Sequence, residues 1–240
     1  QPYQFRTGQS VGQPFGYKFD RFFTQADYDY VNLNKTNETL DLVPDLLENL
    51  KPGDLIYKDL NGDGNINIDD QTAIGFPDYP MYNFGINLNI NVKNFDINMA
   101  WAGATNTSRL LENTLNTPFE GGTRGLLQTF VDNAWTPETA NTATLPRLSF
   151  AANTVNGNSA PSDFWIRDAS YIRLKTLETG YNFKGRFFKK MGISTFRLYF
   201  NANNLITFTK LKIIDPEART VRPQYPLTKL YNLGLKFNFL

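Results

Sequence analysis

The stretch Tyr82-Asn-Phe-Gly-Ile-Asn-Leu-Asn-Ile-Asn-Val-Lys-Asn-Phe-Asp-Ile-Asn-Met-Ala-Trp101 alternates apolar and polar residues on both sides of the pair Lys93-Asn94. Successive side chains of a β-strand point to opposite faces, so each half predicts a strand with one apolar face and one asparagine-rich face. Two residues between the halves suffice for a tight hairpin turn. A wall with lipid on one side and water on the other needs such strands, but a soluble antiparallel sheet packed on a core shares the pattern. The stretch therefore predicts antiparallel β-structure and leaves both environments open.

The composition excludes several classes of function. The 240 residues contain neither cysteine nor histidine and carry a net charge of +1. Disulfides and thiolate metal sites are therefore impossible, and the commonest catalytic base and zinc ligand is absent. A charge near zero argues against a nucleic-acid partner. No apolar run reaches the length of a transmembrane helix, whereas the mean hydropathy of −0.41 is compatible with a β-barrel, whose lumen and loops are polar.

Six segments of the chain have the alternation or composition of β-strands. They are Phe15–Phe23, Tyr82–Val92, Phe95–Gly103, Trp165–Phe183, Thr195–Leu205 and Leu230–Phe239. Two of the connections between them are short, at Lys93-Asn94 and Lys184–Ser194, and these alternate with long connections at residues 24–81, 104–164 and 206–229. Outer-membrane barrels have this layout, with short periplasmic turns and long extracellular loops, whereas compact soluble domains rarely have such long connections.

Two local patterns refine this layout. The apolar positions change parity between Ile172 and Leu177, which predicts a β-bulge near Lys175-Thr176. Within the long connections, Ser108–Asn116 and Gly125–Ala134 carry apolar residues at helical spacing. We therefore expect two short helices in the extracellular loops.

The number of predicted strands is too small for a closed barrel. The smallest transmembrane barrels have about eight strands, and an open wall would leave two strand edges without partners. The first residue is glutamine rather than methionine, and the sequence contains no signal peptide, so the chain would be either a processed mature form or a piece of a longer protein. We therefore expect the chain to be a piece of a longer protein, with the other strands supplied by a preceding segment or by partner chains.

A cation-binding motif occupies residues 59–70, which read Asp-Leu-Asn-Gly-Asp-Gly-Asn-Ile-Asn-Ile-Asp-Asp. The spacing is that of a calcium loop, with oxygen-bearing side chains at positions 1, 3, 5 and 12 and a backbone carbonyl at position 7. Oxygen ligands of this kind select Ca²⁺ or Mg²⁺ over softer metals. We predict one structural cation in an extracellular loop, and the alternative is an Asx-rich turn that binds no metal. The candidate ligands are Asp59, Asn61, Asp63, the carbonyl of Asn65 and Asp70.

Two pairs of carboxylates have the residue types that hydrolyse glycosidic bonds, namely Asp163 with Asp168 and Asp215 with Glu217. Paired acids in loops are far more often solvated or bound to neighbouring cations such as Arg167. No other constellation of residues in the sequence suggests catalysis. We therefore predict that the chain is not an enzyme, and we assign it no catalytic or cofactor-binding residue.

Three ordered stretches resemble one protein family. They are Lys51–Gly75, which contains the cation motif, Asp163–Tyr181 and Phe196–Leu205, and the early Gly12–Tyr17 also fits. Together they resemble the C-terminal part of SusC/RagA-type TonB-linked outer-membrane transporters. The resemblance implies an all-β fold, a twenty-two-stranded antiparallel transmembrane β-barrel with an N-terminal plug. Residues 1–240 would then be the C-terminal part of that barrel, whereas the plug, the TonB box and the earlier strands would lie outside this chain.

The resemblance also implies a function and a location. A SusC-like barrel imports large nutrients, oligosaccharides or peptides, in a complex with a SusD-like surface lipoprotein and with energy supplied through TonB. The chain would then lie in the outer-membrane lipid of a Gram-negative bacterium. The alternatives are a TonB-dependent siderophore or cobalamin transporter and a soluble, secreted, calcium-stabilised β-protein that binds carbohydrate. The substrate stays open, because a lumen lined with Asn, Tyr and Arg suits glycans and peptides alike.

Overall fold

The computed structural model describes residues 1–34, 50–119, 125–149, 157–218 and 227–239. The chain forms two compact units, which we name the loop unit and the sheet unit. The loop unit comprises Gln1–Tyr79, Ser108–Asp168 and Arg219–Pro223, and the sheet unit comprises Pro80–Thr107, Ala169–Ala218 and Gln224–Leu240. Among the described residues, none of the helices has both the length and the apolar character needed to cross a membrane.

Short elements build the loop unit, and long strands build the sheet unit. In chain order, the described strands are β1 (Phe15–Gly16), β2 (Phe19–Phe22), β3 (Leu55–Tyr57), β4 (Thr72–Ala73), β5 (Tyr82–Val92), β6 (Phe95–Thr105), β7 (Ser108–Leu110), β8 (Ile166–Asp168), β9 (Tyr171–Phe183), β10 (Ile193–Thr209) and β11 (Leu230–Phe239). The α-helices are α1 (Gln25–Asn34), α2 (Gln128–Asn133) and α3 (Arg186–Lys190). Short 3₁₀ turns lie at Pro2–Gln4, Ile68–Asp70 and Asn113–Leu115.

The sheet unit is a five-stranded antiparallel sheet in the order β11-β10-β9-β6-β5. Strands β5 and β6 pair along their whole length, from Tyr82 opposite Thr105 to Val92 opposite Phe95. The turn between them contains Lys93, whose φ of 57° lies in the left-handed region typical of a two-residue hairpin turn. The hairpin predicted from the alternation is therefore confirmed, and its second strand continues two residues beyond the predicted end at Gly103.

One face of this sheet is apolar and exposed. Ile86, Leu88 and Leu233 have exposed fractions of 47%, 43% and 75%. A continuous apolar face on neighbouring strands marks a surface made for lipid or for another protein, rather than the core of a soluble domain. The opposite face carries asparagines and charged side chains, so the sheet has the two-sided character predicted for a barrel wall.

The predicted bulge of β9 is present. Strand β6 pairs Ala100 with Thr176 and Trp101 with Leu174, so Lys175 is an extra residue in β9. The bulge brings the apolar side chains before and after it onto the same face, because one extra residue restores the parity. Strand β10 has a register shift at the same level of the sheet.

The prediction that Phe15–Phe23 is a strand of the wall is wrong. Its residues form two short strands of the loop unit, in which β1 pairs with β4 and β2 pairs with β3. Tyr17 and Phe23 are almost fully buried, with exposed fractions of 3% and 1%. Alternation shows that one face of a segment is apolar, but it does not show whether lipid or a folded loop covers that face. Here a folded loop covers it.

One of the two predicted loop helices is wrong. Ser108–Leu110 forms strand β7, which pairs with β8, and only Asn113–Leu115 makes a 3₁₀ turn. The strand forms because β8 offers backbone partners and because the Leu111 N–H donates to the carbonyl of Trp165 at 2.9 Å. The second predicted helix is confirmed in a shorter form as α2, which buries Phe130.

An aromatic core and a buried ion pair hold the loop unit together. Tyr17 and Tyr57 stack with their ring centroids 5.1 Å apart. Asp54 is completely buried and accepts hydrogen bonds from Asn158 Nδ2 at 2.7 Å and from the guanidinium of Arg147 at 3.1 Å. Burial raises the pKa of Asp54 above its ordinary value, although Arg147 and nearby N–H donors oppose that rise. This network joins distant segments, so the long connections form a compact body.

The contact between Phe84 and Gly103 provides a test of the sheet register. A methyl group on Gly103 would lie 2.3 Å from the Phe84 ring and 2.7 Å from the carbonyl oxygen of Tyr171, closer than packed atoms allow. We expect Gly103→Ala to destabilise the full-length protein by about 1–3 kcal/mol, the usual cost of overpacking. The measurement is the urea midpoint of unfolding in detergent micelles.

Gly85→Ala is the matched control for this test, because a methyl group there would meet the carbonyl oxygen of Trp101 at an ordinary 3.5 Å. Its expected effect on the free energy of unfolding is within about 0.5 kcal/mol. Equal midpoints for the two variants would show that the Phe84 ring does not lie over Gly103.

Candidate cation loop and the polar face of the sheet

The cation motif lies in the loop unit directly after β3. It bends at Gly62 and Gly64, whose φ angles of 75° and 83° lie in the left-handed region that favours glycine. It ends in the 3₁₀ turn Ile68–Asp70, and the side chain of Ile66 is buried in the core of the unit. The core therefore fixes the middle of the motif and leaves most of its polar residues near the surface.

Asp59 organises the first turn of the motif. Its carboxylate accepts hydrogen bonds from the Gly62 N–H at 2.7 Å and the Gly64 N–H at 2.9 Å. Desolvation raises the pKa of this carboxyl, but the backbone donors outweigh desolvation and hold the pKa below its ordinary value. Asp59 is therefore ionised at neutral pH, which is the state that a divalent cation requires.

Asn61 and Asp63 form the exposed turn of the motif. Asn61 Oδ1 accepts from the Asp63 N–H at 2.8 Å, and Asn61 Nδ2 donates to Asp63 Oδ2 at 2.8 Å. The other Asp63 oxygen accepts from the Asn65 N–H at 2.8 Å. The structure therefore brings these three predicted ligand residues into one turn.

Asp70 joins the two ends of the motif. Its side chain is fully buried, and its two carboxylate oxygens accept from the Leu60 N–H at 2.7 Å and the Asn67 N–H at 2.8 Å. Calcium loops usually have the longer glutamate at this last position. The shorter aspartate is held in place here by the backbone of the motif itself.

The donor set fits a hard divalent cation in its chemistry. Three carboxylates, one amide side chain and one backbone carbonyl lie in one continuous loop, and a carboxylate oxygen that accepts one hydrogen bond retains a second lone pair. Within the ranges that the structure describes, no group of three or more His, Cys, Asp or Glu side chains converges as a ready-made metal site. The cation at residues 59–70 therefore stays a prediction.

The predicted carboxylate pairs are engaged in structural contacts. Asp163 accepts from the Phe19 N–H at 2.7 Å and lies 3.6 Å from Lys18 Nζ. Asp215 and Glu217 accept hydrogen bonds from cationic side chains of β9. Acids bound in this way fit structural ion pairs rather than a general acid and base.

The polar face of the sheet carries a charged cluster that sequence patterns do not reveal. Arg197 in β10 donates two hydrogen bonds to Asp96 in β6, at 2.6 and 2.8 Å, and a third to Glu178 in β9 at 2.8 Å. The guanidinium crosses the intervening strand over Gly180, where an added methyl group would lie 2.6 Å from it. Three strands supply the cluster, so only their register brings it together.

A second charged cluster joins β9 to the connection that follows β10. Arg173 is 2% exposed and donates to Asp215 at 2.7 Å and to Glu217. Lys175 Nζ contacts both oxygens of Glu217 at 2.6 Å, and the Tyr171 hydroxyl donates to one of them at 2.7 Å. Desolvation raises the pKa of Glu217, yet these donors and cations hold that pKa below its ordinary value. Glu217 is therefore ionised at neutral pH.

Neutral amides line most of the remaining polar face. Asn232 Nδ2 donates to Asn201 Oδ1 between β11 and β10 at 2.8 Å. Amide side chains both donate and accept, so they suit polar, uncharged groups in a ligand. The asparagines of this face are Asn83, Asn87, Asn89, Asn91, Asn98, Asn182, Asn201, Asn203, Asn232 and Asn238.

Comparison with known proteins gives consistent sequence matches. No protein-family model matches the chain. The chain is 30% identical to the TonB-dependent receptor P3 of Formosa agariphila, over 98% of its own length and 23% of the receptor. It is 28% identical to the TonB-dependent receptor SusC of Bacteroides thetaiotaomicron, over 80% of its own length and 18% of that receptor. The chain belongs to the TonB-dependent receptor family.

Solved structures share the fold of this TonB-dependent receptor chain. The RagAB peptide importer in its open-open state matches 95% of the chain with a TM-score of 0.60 at 21% identity. The RagAB peptide transporter matches 94% with a TM-score of 0.61 at 20% identity, and each match covers 22% of the solved chain. The predicted fold class, antiparallel strands of a large transmembrane β-barrel with long extracellular loops, is confirmed.

Membership of the TonB-dependent receptor family decides two further predictions. The chain lies in the outer membrane, as predicted, and the soluble, secreted alternative is wrong. The curated relatives are receptors and not enzymes, which agrees with the prediction that the chain is not an enzyme. The chain spans less than a quarter of the length of the curated relatives it matches, at 23% and 18%.

Asp70 provides a test of the motif that requires no metal. Asp70→Asn replaces one acceptor oxygen by an NH₂ group, which would face the backbone N–H of either Leu60 or Asn67. A buried donor left without an acceptor costs about 1–3 kcal/mol. We expect faster hydrogen exchange at the Leu60 and Asn67 amides of the full-length protein, measured by mass spectrometry.

Asp69→Asn is the matched control, because the Asp69 carboxylate is exposed and accepts from the side chain of Gln4 at a longer 3.3 Å. Its exchange pattern should equal that of the wild type. The same exchange rates in both variants would contradict the role of Asp70 in closing the motif.

Proposed function

We propose that this chain forms part of the wall of an outer-membrane importer that takes up an oligomeric nutrient, an oligosaccharide or a peptide, with energy supplied through TonB. The observation that supports this most directly is the two-sided sheet. Its apolar face is exposed as a lipid-facing surface would be. Its other face offers amides and paired charges to a polar cargo.

The rest of the protein would complete the barrel. Among the described residues, β5 pairs only with β6 and β11 pairs only with β10 in the sheet. A strand edge in lipid needs partners for its backbone groups, so further strands would continue the wall at both edges. We propose that residues 1–240 are the C-terminal part of a twenty-two-stranded barrel, and that the plug and the TonB box belong to other parts of the protein.

A surface lipoprotein of the SusD type is the proposed partner. The connections at residues 106–170 and 210–229 are far longer than strand pairing requires. The first of them contains β7 and α2, so it is a folded structure rather than a simple turn. A folded outer surface of this size offers a lipoprotein lid a place to bind. One solved relative is named a peptide importer, which supports a polymeric cargo.

Deletion of the gene and complementation with the full-length gene test the import proposal. We expect the deletion strain to lose growth on one oligosaccharide or peptide source and to regain it on complementation. Purification of the tagged full-length protein in mild detergent should also yield a surface lipoprotein in about equal amount. Such a lid should be held by the long extracellular connections.

Two outcomes would contradict the proposal in different ways. A strain that grows normally on every glycan and peptide source, but fails when iron or cobalamin is limiting, would support the siderophore or cobalamin alternative. A barrel that purifies without a lipoprotein in every detergent would contradict the proposed lid.

We also propose that residues 59–70 hold one Ca²⁺ or Mg²⁺. The ligands would be Asp59, Asn61, Asp63, the carbonyl of Asn65 and Asp70. The hydrogen bonds within the motif support this, because they gather the donors in one tight loop. The cation would offset the repulsion among three carboxylates, so its role would be to stabilise the loop rather than to catalyse.

Calorimetric titration with Ca²⁺ and with Mg²⁺ tests the cation proposal on chelator-treated full-length protein. We expect one binding site that disappears in Asp59→Asn/Asp63→Asn, because that variant loses two of the three carboxylates. Asp69→Asn lies within the motif but outside the proposed ligand set, so it should bind as the wild type does. A wild-type protein that binds neither ion would contradict the proposal.

A further inference from the structure

The connection after β10 folds back against the polar face of the sheet. We name residues Lys210–Ala218 the strap. Leu211 is 3% exposed and Pro216 is buried, so the strap is packed rather than extended into solvent. Its first turn is fixed as well, because the Leu211 N–H donates to Thr209 Oγ1 at 3.1 Å.

Two cations of β9 hold the strap. Arg173 contacts the carboxylates of Asp215 and Glu217, and Lys175 contacts Glu217. Two positive and two negative charges therefore cancel within one cluster. A buried guanidinium without a counter-charge is strongly unfavourable. The carboxylates of the strap therefore stabilise Arg173 in its buried position, and Arg173 in turn fixes the strap.

The bulge of β9 helps to explain why two cations meet one short segment. Lys175 is the extra residue and lacks a partner in the β6 ladder, and bulges commonly re-aim a side chain. Arg173 lies two residues earlier in the strand, and its Nε–H donates to Thr207 Oγ1 at 2.7 Å. The irregular strand and the docked strap are therefore parts of one arrangement.

We propose that the strap is a fixed part of the pore rim, docked on the wall by Arg173 and Lys175 and held there without a lipoprotein lid. The docking follows from contacts within this chain, whereas the pore rests on the proposed import function. In its docked position the strap narrows the lumen beside β9. It also shields Arg173, whose side chain is 3% exposed, from a passing cargo.

Trypsin treatment of intact cells that express the full-length protein tests the docking. Lys210 and Lys212 are exposed residues of the strap, and trypsin cleaves a folded segment only when that segment opens locally. We expect Asp215→Asn/Glu217→Gln to raise the rate of cleavage after these lysines on the order of tenfold, because charge-assisted contacts are lost. Mass spectrometry of the released peptides identifies the cleavage sites.

Glu178→Gln is the matched control. Glu178 lies in β9, as Arg173 and Lys175 do, but it pairs with Arg197 and has no contact with the strap among those described. Its cleavage rate should equal that of the wild type. Heat-modifiable migration on gels shows whether each variant is folded. The milder single variant Glu217→Gln keeps the contact between Arg173 and Asp215, so we expect a smaller rise in cleavage.

Two results would overturn the proposal. The first is equal cleavage in the folded double variant and in the control. The second is a wild-type strap that becomes sensitive to trypsin once the lipoprotein gene is deleted, because the strap would then be part of the lid interface. Cleavage does not depend on a cargo, so a failed uptake experiment with a docked strap contradicts only the proposed import function.

Discussion

The sheet depends on keeping the apolar side chains of every strand on one face. A strand that slips by one residue would turn polar groups toward lipid and apolar groups toward the lumen. In lipid the backbone must also be paired throughout, so register and side-chain placement cannot be adjusted separately. The extra residue at Lys175 keeps Leu174 and Leu177 on one face, and the pairing of β9 with β6 continues on both sides of it.

The sequence predicts those features of the fold and of the candidate sites that depend on residues close together in the chain. The hairpin at Lys93 and the bulge at Lys175 are predictable, because alternation and parity are read from adjacent residues. The cation ligands are predictable as candidates for the same reason. The contact of Arg197 with Asp96 joins residues 101 positions apart, so it exists only once the register is known. The segment Phe15–Phe23 shows a second limit. Its residues have the pattern of a strand, but whether lipid or a folded loop covers its apolar side chains depends on tertiary contacts that the pattern does not contain.

The loop unit shows how long connections become ordered although their strands form only two-stranded sheets. Asp54 and Asn158 are 104 positions apart and meet in a buried hydrogen bond, while Tyr17 and Tyr57 stack beside them. The cation motif contributes to this core through Ile66, which ties a polar turn to apolar packing. Order in these connections therefore comes from a small core of their own rather than from strand pairing alone.

The passage of Arg197 over Gly180 has a consequence for how this wall can evolve. Any larger side chain at position 180 would displace the guanidinium and leave Asp96, which is 7% exposed, without its counter-ion. The harm of a substitution at 180 thus depends on whether the two charged residues are still present. In a lineage that has already replaced both with neutral residues, the same substitution breaks no ion pair, so the side chains tolerated at position 180 depend on the residues at positions 96 and 197.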